Sequence, residues 1–240
     1  RTNVVFSTDL WEWCSTHKAR MIYASSAATY GDGTQGFDDD GSMEAISRLQ
    51  PLNAYGRSKK EFDQRVAARV ASGGPKPPQW AGLKFFNVFG PNEYHKDNMV
   101  SVAYQVFQRA RLGEPAVLFK SHNPAYPDGG QLRDFVSVDD CVNVLLWLLD
   151  HPGVSGLFNC GSGKARSFAD VAKAVFAALG RAPEIRYVPT PEAIRDKYQY
   201  FTEASMERLR AAGYDRQSTP LEAGIDAYVR RYLMADDPYR

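Results

Sequence analysis

Cysteine, net charge and long apolar runs are all scarce in this 240-residue sequence. The three cysteines, Cys14, Cys141 and Cys160, lie far apart. They match no metal-ligand spacing and cannot all pair, so no metal site is expected and reduced thiols of a cytoplasmic protein are. The 29 basic and 28 acidic side chains leave a net charge of +1. That balance offers no reason to expect nucleic acid or an anionic membrane as the main partner. The longest apolar run, Val144 to Leu149, has six residues, whereas a membrane-spanning helix needs about 20. No secretory leader, internal repeat or low-complexity tract is visible.

What is present reads as a folded α/β chain. Hydrophobic residues make up 44% and charged residues 24%, which excludes wholesale disorder. Helices are expected over 2–17, 53–71, 98–112, 139–150, 167–179, 202–212 and 220–233, from apolar residues at helical spacing and from cap residues such as Ser167. Short apolar strands are expected at 21–24, 83–88, 116–119, 135–138, 156–159 and 185–188. Two Gly/Pro/Asp-rich stretches, 31–50 and 122–131, read as loops. Strands separated by helices of 10 to 20 residues predict a parallel sheet. From about Asn92 the pieces become shorter, as in a substrate-binding region built at a sheet edge.

Two features carry chemistry. Tyr55 and Lys59 stand four apart on a predicted helix and share one face. An ammonium beside a phenol favours phenolate, which makes tyrosine a usable base near neutral pH. With 13 tyrosines in the chain, such a pair also arises by chance, so the motif needs context. The context is Ser25-Ser26-Ala27-Ala28-Thr29-Tyr30-Gly31, which follows a short apolar strand. In open parallel sheets ligands bind beyond the carboxyl ends of strands. Ser26 would offer a hydroxyl there, and its small neighbours permit close approach.

SSAATYG (25–31) followed by PLNAYGRSK (51–59) resembles the extended short-chain dehydrogenase/reductase superfamily of nucleotide-sugar epimerases and dehydratases. KFFNVFGPNEYHKDNMVSVA (84–103), LRDFVSVDD (132–140), GLFNCGSGKARSF (156–168) and KYQYFTEASMERLRAAGYD (197–215) resemble its branch that epimerises an ADP-linked heptose at C6. The resemblance covers nearly the whole chain. It implies a Rossmann-like doubly wound parallel sheet over 1–91, with a smaller substrate-binding α/β region over 92–240 from which segments near 132–160 return to the sheet. It also implies catalytic roles for Ser26, Tyr55, Lys59 and a second acid/base lysine, Lys96. Tyr55, Lys59, Val88 and Lys96 are implied to meet the cofactor, NADP with NAD as the alternative. Ser26, Asn87, Asn98, Gln105, Phe119, Arg133 and Tyr198 are implied to meet the ADP-heptose substrate. A homo-oligomer, often a pentamer, is a further implication.

The chemistry of these residue types agrees. Arginine binds a diphosphate bidentately, and a tyrosine such as Tyr198 stacks on or hydrogen-bonds to a nucleotide or sugar. An epimerase that oxidises a carbinol carbon must return the hydrogen to the opposite face, so a base on each side, Tyr55 and Lys96, meets its need. Dehydratases of the superfamily carry an acid beside the catalytic serine, where this chain has Ala27. Other departures are Asp97-Asn98 where Gly-Ser is usual, Gln105 where His is common, and lengthened stretches at 31–50 and 120–131. No G-x-x-G-x-x-G loop occurs. That loop normally cradles the cofactor pyrophosphate, so the expectation is a parent protein whose first βαβαβ half precedes Arg1. The alternative expectations are another nucleotide-sugar epimerase or dehydratase and, for the chain alone, a non-catalytic nucleotide-sugar-binding remnant.

Overall fold

A computed structural model describes residues 2–195, 198–237 and 239. In chain order the elements are α1 (Ser7–His17), β1 (Met21–Ser26), α2 (Met43–Arg48), α3 (Ala54–Ala71), β2 (Trp80–Phe85), β3 (Asn87–Phe89), α4 (Val102–Ala110), β4 (Ala116–Phe119), β5 (Leu132–Ser137), α5 (Val138–Asp150), β6 (Gly156–Cys160), β7 (Ala165–Ser167), α6 (Phe168–Ala178), β8 (Ile185–Val188), α7 (Glu192–Arg195), α8 (Glu207–Ala211) and α9 (Leu221–Tyr228). Tight helical turns at Ala27–Tyr30 and Tyr94–Met99 complete the parts that matter below.

The chain divides into two compact units. The first comprises residues 1–86, 142–160 and 204–216. Its sheet is parallel throughout, in the order β1-β2-β6. Every residue of β6 is buried, so both faces of that strand are covered, as parallel sheets require. Against β1, α3 packs Phe62 and Val66 with Trp11 and Cys14 of α1 and Met21 of the strand itself. The stretch 31–50 is held by buried polar groups. Asp39 accepts from the Asn159 amide at 2.7 Å, and the Asn159 side chain donates to the carbonyls of Phe37 and Ser205 at 2.7 and 2.9 Å. Desolvation pushes the Asp39 carboxyl up, against the hydrogen bond from the Asn159 amide and the charge of Arg208. Within this stretch lies α2, which the composition hides: Ser42 caps it by accepting from the Ala45 amide at 3.1 Å.

The second unit comprises residues 87–141, 161–203 and 217–240. β3 pairs parallel with β5, and β5 pairs antiparallel with β7. β4 and β8 form a separate parallel pair. Its core gathers Phe89, Val106, Phe107, Phe135, Val175, Phe176, Ile225 and Tyr228, each large side chain contributing about 1.5–3 kcal/mol by burial. Ser167 caps α6 as expected and forms a capping box with Asp170. Several boundaries differ from the sequence reading; the strand expected at 83–88 is two strands, β2 in the first unit's sheet and β3 in the second's. α4 starts at Val102 rather than near Asn98, because Ser101 caps it and the preceding residues form a separate turn. β5 begins at Leu132, three residues early, because its first half pairs with β7, an unforeseen strand. α8 begins only at Glu207, because the segment before it lies extended beside β5, with Leu132 donating to Tyr200 O at 2.8 Å and Thr202 donating to Leu132 O at 3.2 Å.

Candidate active site

In the first unit, three of the expected residues meet at the carboxyl end of β1. Ser26 ends that strand and caps the turn Ala27–Tyr30, its hydroxyl accepting from the Ala28 amide at 3.1 Å. Asn53 caps α3 by accepting from the Gly56 amide at 2.8 Å, which places Tyr55 in the first turn. Tyr55 is 50% exposed. One turn on, the Lys59 ammonium lies 5.7 Å from the Tyr55 ring centroid and donates to Ala24 O at 2.8 Å. Lys59 is therefore anchored two residues before Ser26. Desolvation lowers its pKa, while the Asp63 carboxylate works in the opposite direction.

Two features of this end were not foreseen. Gly56 stands where a side chain would collide: a Cβ there would lie 2.5 Å from Ala28 O and 2.9 Å from Pro51 Cβ. This close approach brings the Ser26 turn against the helix that carries Tyr55 and Lys59. Beneath them lies a buried ion pair, Lys84 with Asp63 at 3.0 Å, each side chain only 1% exposed. The signal for Asp63 was in the sequence, since Tyr55, Lys59 and Asp63 repeat every four residues along one stripe of α3.

In the second unit, Phe119, Arg133 and Tyr198 come together. Arg133 is buried, not a surface partner of a neighbouring acid. Its guanidinium donates to Leu132 O at 2.8 Å and to Gln199 O. It lies 5.6 Å from the Phe168 ring centre and 5.7 Å from that of Tyr198. Tyr198 meets Phe119 edge to face at 6.2 Å. Burial pushes the Tyr198 phenol up, with Arg133 pulling it back. The lengthened stretch 120–131 is tied to the same strip, the His122 amide donating to the Tyr200 hydroxyl at 2.8 Å.

Asn87 is exposed on β3 opposite Phe135, and Val88 is half-buried opposite Val136. Lys96 is exposed in the turn Tyr94–Met99. That turn is closed at its base by buried Glu93, which accepts from the Ser101 amide, from the Ser101 hydroxyl at 2.6 Å and from the Tyr228 hydroxyl at 2.9 Å. Asp97 follows at φ 48°, ψ −121°, a backbone that glycine adopts readily and aspartate does not. The chain keeps the conformation suited to the usual glycine while carrying another residue. Gln105 is exposed on α4 and donates to Val100 O at 3.1 Å. The side chain of Asn98 lies outside the described residues. No group of metal-ligating side chains occurs among the described residues.

Comparison with known proteins decides the kinship. Residues 1–161 match the family described as NAD dependent epimerase/dehydratase. The chain belongs to that family. It is 51% identical over 239 residues to the ADP-L-glycero-D-manno-heptose-6-epimerase of Nitratidesulfovibrio vulgaris strain DP4, covering 99% of this chain and 71% of that protein. Identity to the protein so named from Fusobacterium nucleatum is 42%, over 99% of this chain and 72% of the relative.

Solved epimerases share the fold. The Helicobacter pylori ADP-L-glycero-D-manno-heptose-6-epimerase superposes with a TM-score of 0.75 at 27% identity, over 95% of this chain and 65% of that one. The Thermus thermophilus UDP-glucose 4-epimerase, solved with NAD, gives 0.73 at 26% identity, over 97% and 70%. The architecture is thus the Rossmann-like α/β fold of this epimerase/dehydratase family, with parallel strands carrying Ser26 and the helix of Tyr55 and Lys59 beside it.

Proposed function

We propose that the gene product carrying this chain converts ADP-D-glycero-D-manno-heptose to ADP-L-glycero-D-manno-heptose at C6, through a transient 6-ketone and with NADP. The observation that carries this reading is Lys59, anchored to Ala24 O two residues before Ser26, with its ammonium 5.7 Å from the Tyr55 ring centroid. The 51% identity to a protein of that name supports the substrate.

The residues present at the end of β1 fit the nicotinamide ribose of a dinucleotide. An ammonium has three donors, and the bond to Ala24 O uses one, which leaves two for a ribose diol. When bound there, the cofactor supplies the hydride acceptor and donor. The protein's own part is proton handling. Tyr55, helped toward phenolate by the Lys59 charge, removes the hydroxyl proton as the carbinol is oxidised. Ser26 hydrogen-bonds the same oxygen. The ketone then presents its other face, and Lys96 serves as the acid/base on the second side. Asn87, Asn98 and Gln105 hold the sugar. Arg133, with Phe119 and Tyr198, holds the ADP moiety, its fork suited to the diphosphate. Self-association into a homo-oligomer and a cytoplasmic location belong to the same reading.

The test is turnover of ADP-D-glycero-D-manno-heptose with NADP by the gene product. Tyr55→Phe and Lys96→Met are each expected to lose roughly 100-fold or more in kcat, the scale of a missing acid/base. Full activity in both variants would refute these roles. Equal or faster turnover of UDP- or dTDP-sugars would move the substrate elsewhere in the family.

A further inference from the structure

We infer that the buried Asp63–Lys84 pair is a positioning pair for Ser26, Tyr55 and Lys59, gripping the serine turn and the catalytic helix together from below. This inference rests on the proposed roles of those three residues. The contacts form one connected network within the first unit. Asp63 lies one turn after Lys59 on α3. Its carboxylate accepts from the Ser25 hydroxyl at 2.7 Å, from the Tyr23 hydroxyl at 3.2 Å and from the Lys84 ammonium at 3.0 Å. Lys84, from β2, also donates to the Thr29 hydroxyl at 2.7 Å and sits 4.9 Å over the Tyr30 ring. The Thr29 hydroxyl in turn donates to Ser26 O at 2.8 Å. Ser26 is thus held on both flanks, through Ser25 to Asp63 and through Thr29 to Lys84.

The energetics argue that this network is not there for stability. Burying two opposite charges costs desolvation that their attraction only partly offsets, and well-packed neutral replacements are often as stable. What a satisfied buried network supplies instead is a single geometry. Electrostatics adds a second role. The charged and titratable groups facing Asp63 are Lys59 on its own helix, Tyr23 on β1, Lys84 on β2 and Tyr30 of the serine turn. Tyr55 and Asp63 flank Lys59 along α3. Asp63 draws Lys59 toward its charged form, and that charge is the one Tyr55 uses. Neither Asp63 nor Lys84 is exposed to a ligand, so both act through their neighbours.

Single substitutions strand a buried charge, so the decisive variant of the gene product is Asp63→Asn with Lys84→Met, which keeps shape and the acceptor for Ser25. Three readouts are taken: thermal unfolding, kcat and KM for ADP-heptose, and the pH midpoint of Lys59 acetylation by acetic anhydride, read by mass spectrometry. The expectation is a folded protein with kcat lowered about tenfold or more, KM little changed, and the Lys59 midpoint moved to lower pH. A folded double variant with parental kcat and parental midpoint overturns the inference. Should the double variant not fold, Thr29→Val decides: it cuts Lys84 from Ser26 O, and a several-fold loss of kcat supports the role while parental kcat overturns it. If the parent itself turns over no ADP-heptose, the epimerase reading fails, and the acetylation midpoint still decides whether Asp63 tunes Lys59.

Discussion

Between Tyr55 and Lys59 stands a glycine that a helix would not select for its own stability. In an exposed helix interior, Gly→Ala gains about 1 kcal/mol. Here the sign reverses, because a Cβ at residue 56 would lie 2.5 Å from Ala28 O. Gly56→Ala is expected to destabilise the protein by about 1–3 kcal/mol, the scale of overpacking, and to lower kcat by displacing the turn that holds Ser26. Urea unfolding and steady-state kinetics check both; a stabilised variant with parental kcat contradicts the packing argument. Lys84 teaches the complementary lesson. A lysine within an apolar strand reads as an edge position or a residue facing water. It is buried because Asp63, twenty-one residues earlier and on another element, supplies the counter-charge. Side-chain pairing over that distance leaves no periodic trace in a sequence.

Among the elements, those with strong local signals matched the reading closely. α3 was legible from Phe62 and Val66 at helical spacing, and α6 from its Ser167 cap. The elements that shifted are those whose ends are set by distant partners. The Tyr94–Met99 turn is the instructive case, because Glu93 closes it through Ser101 and Tyr228. Burial, with Glu93 adding to it, pushes the Tyr228 phenol well above its ordinary range, so it stays a donor to that carboxylate. Glu93→Ala would leave Ser101 and Tyr228 without their acceptor, at a cost of about 1–3 kcal/mol. The expected outcome is a lower denaturation midpoint and faster hydrogen exchange over residues 94–100, the turn that carries Lys96. Unchanged exchange there would show that the turn is held by something else.

On the scale of the whole molecule, the chain spans 71% of its relative from Nitratidesulfovibrio vulgaris, and its two units divide the proposed labour. The first holds Ser26, Tyr55 and Lys59, and the second holds Lys96, Arg133 and Tyr198. The sequence reading divides the chain at 91 and 92 and returns segments near 132–160 to the first sheet; each compact unit is assembled from three separate stretches. The pH dependence of stability is a property of this scale. In the second unit, hydrogen bonding to Arg166 holds the Glu222 carboxyl below its ordinary range. A depressed carboxyl contributes stability above its unfolded value and loses it as pH falls through the lower folded one. Both side chains are substantially exposed, so the contribution is at most about 1 kcal/mol. Arg166→Gln is expected to lower Tm by up to a few degrees at pH 7, with the gap closing as pH falls below the ordinary carboxylate range. A gap that widened in acid would contradict the assignment.

The sequence by itself determined the α/β class and pointed to Ser26, Tyr55 and Lys59, because helical spacing, caps and a strand ending in small residues are local and leave a pattern in the chain; the family came from the resemblance of its motifs. Only the tertiary structure decided that Gly56 sets the helix against the serine turn, that Asp63 and Lys84 meet beneath it, and that Arg133 lies buried against Tyr198 and Phe168. Each of these depends on close packing or on pairing charges away from water between segments remote in sequence. Such contacts are fixed by how the elements stack, which no local spacing encodes.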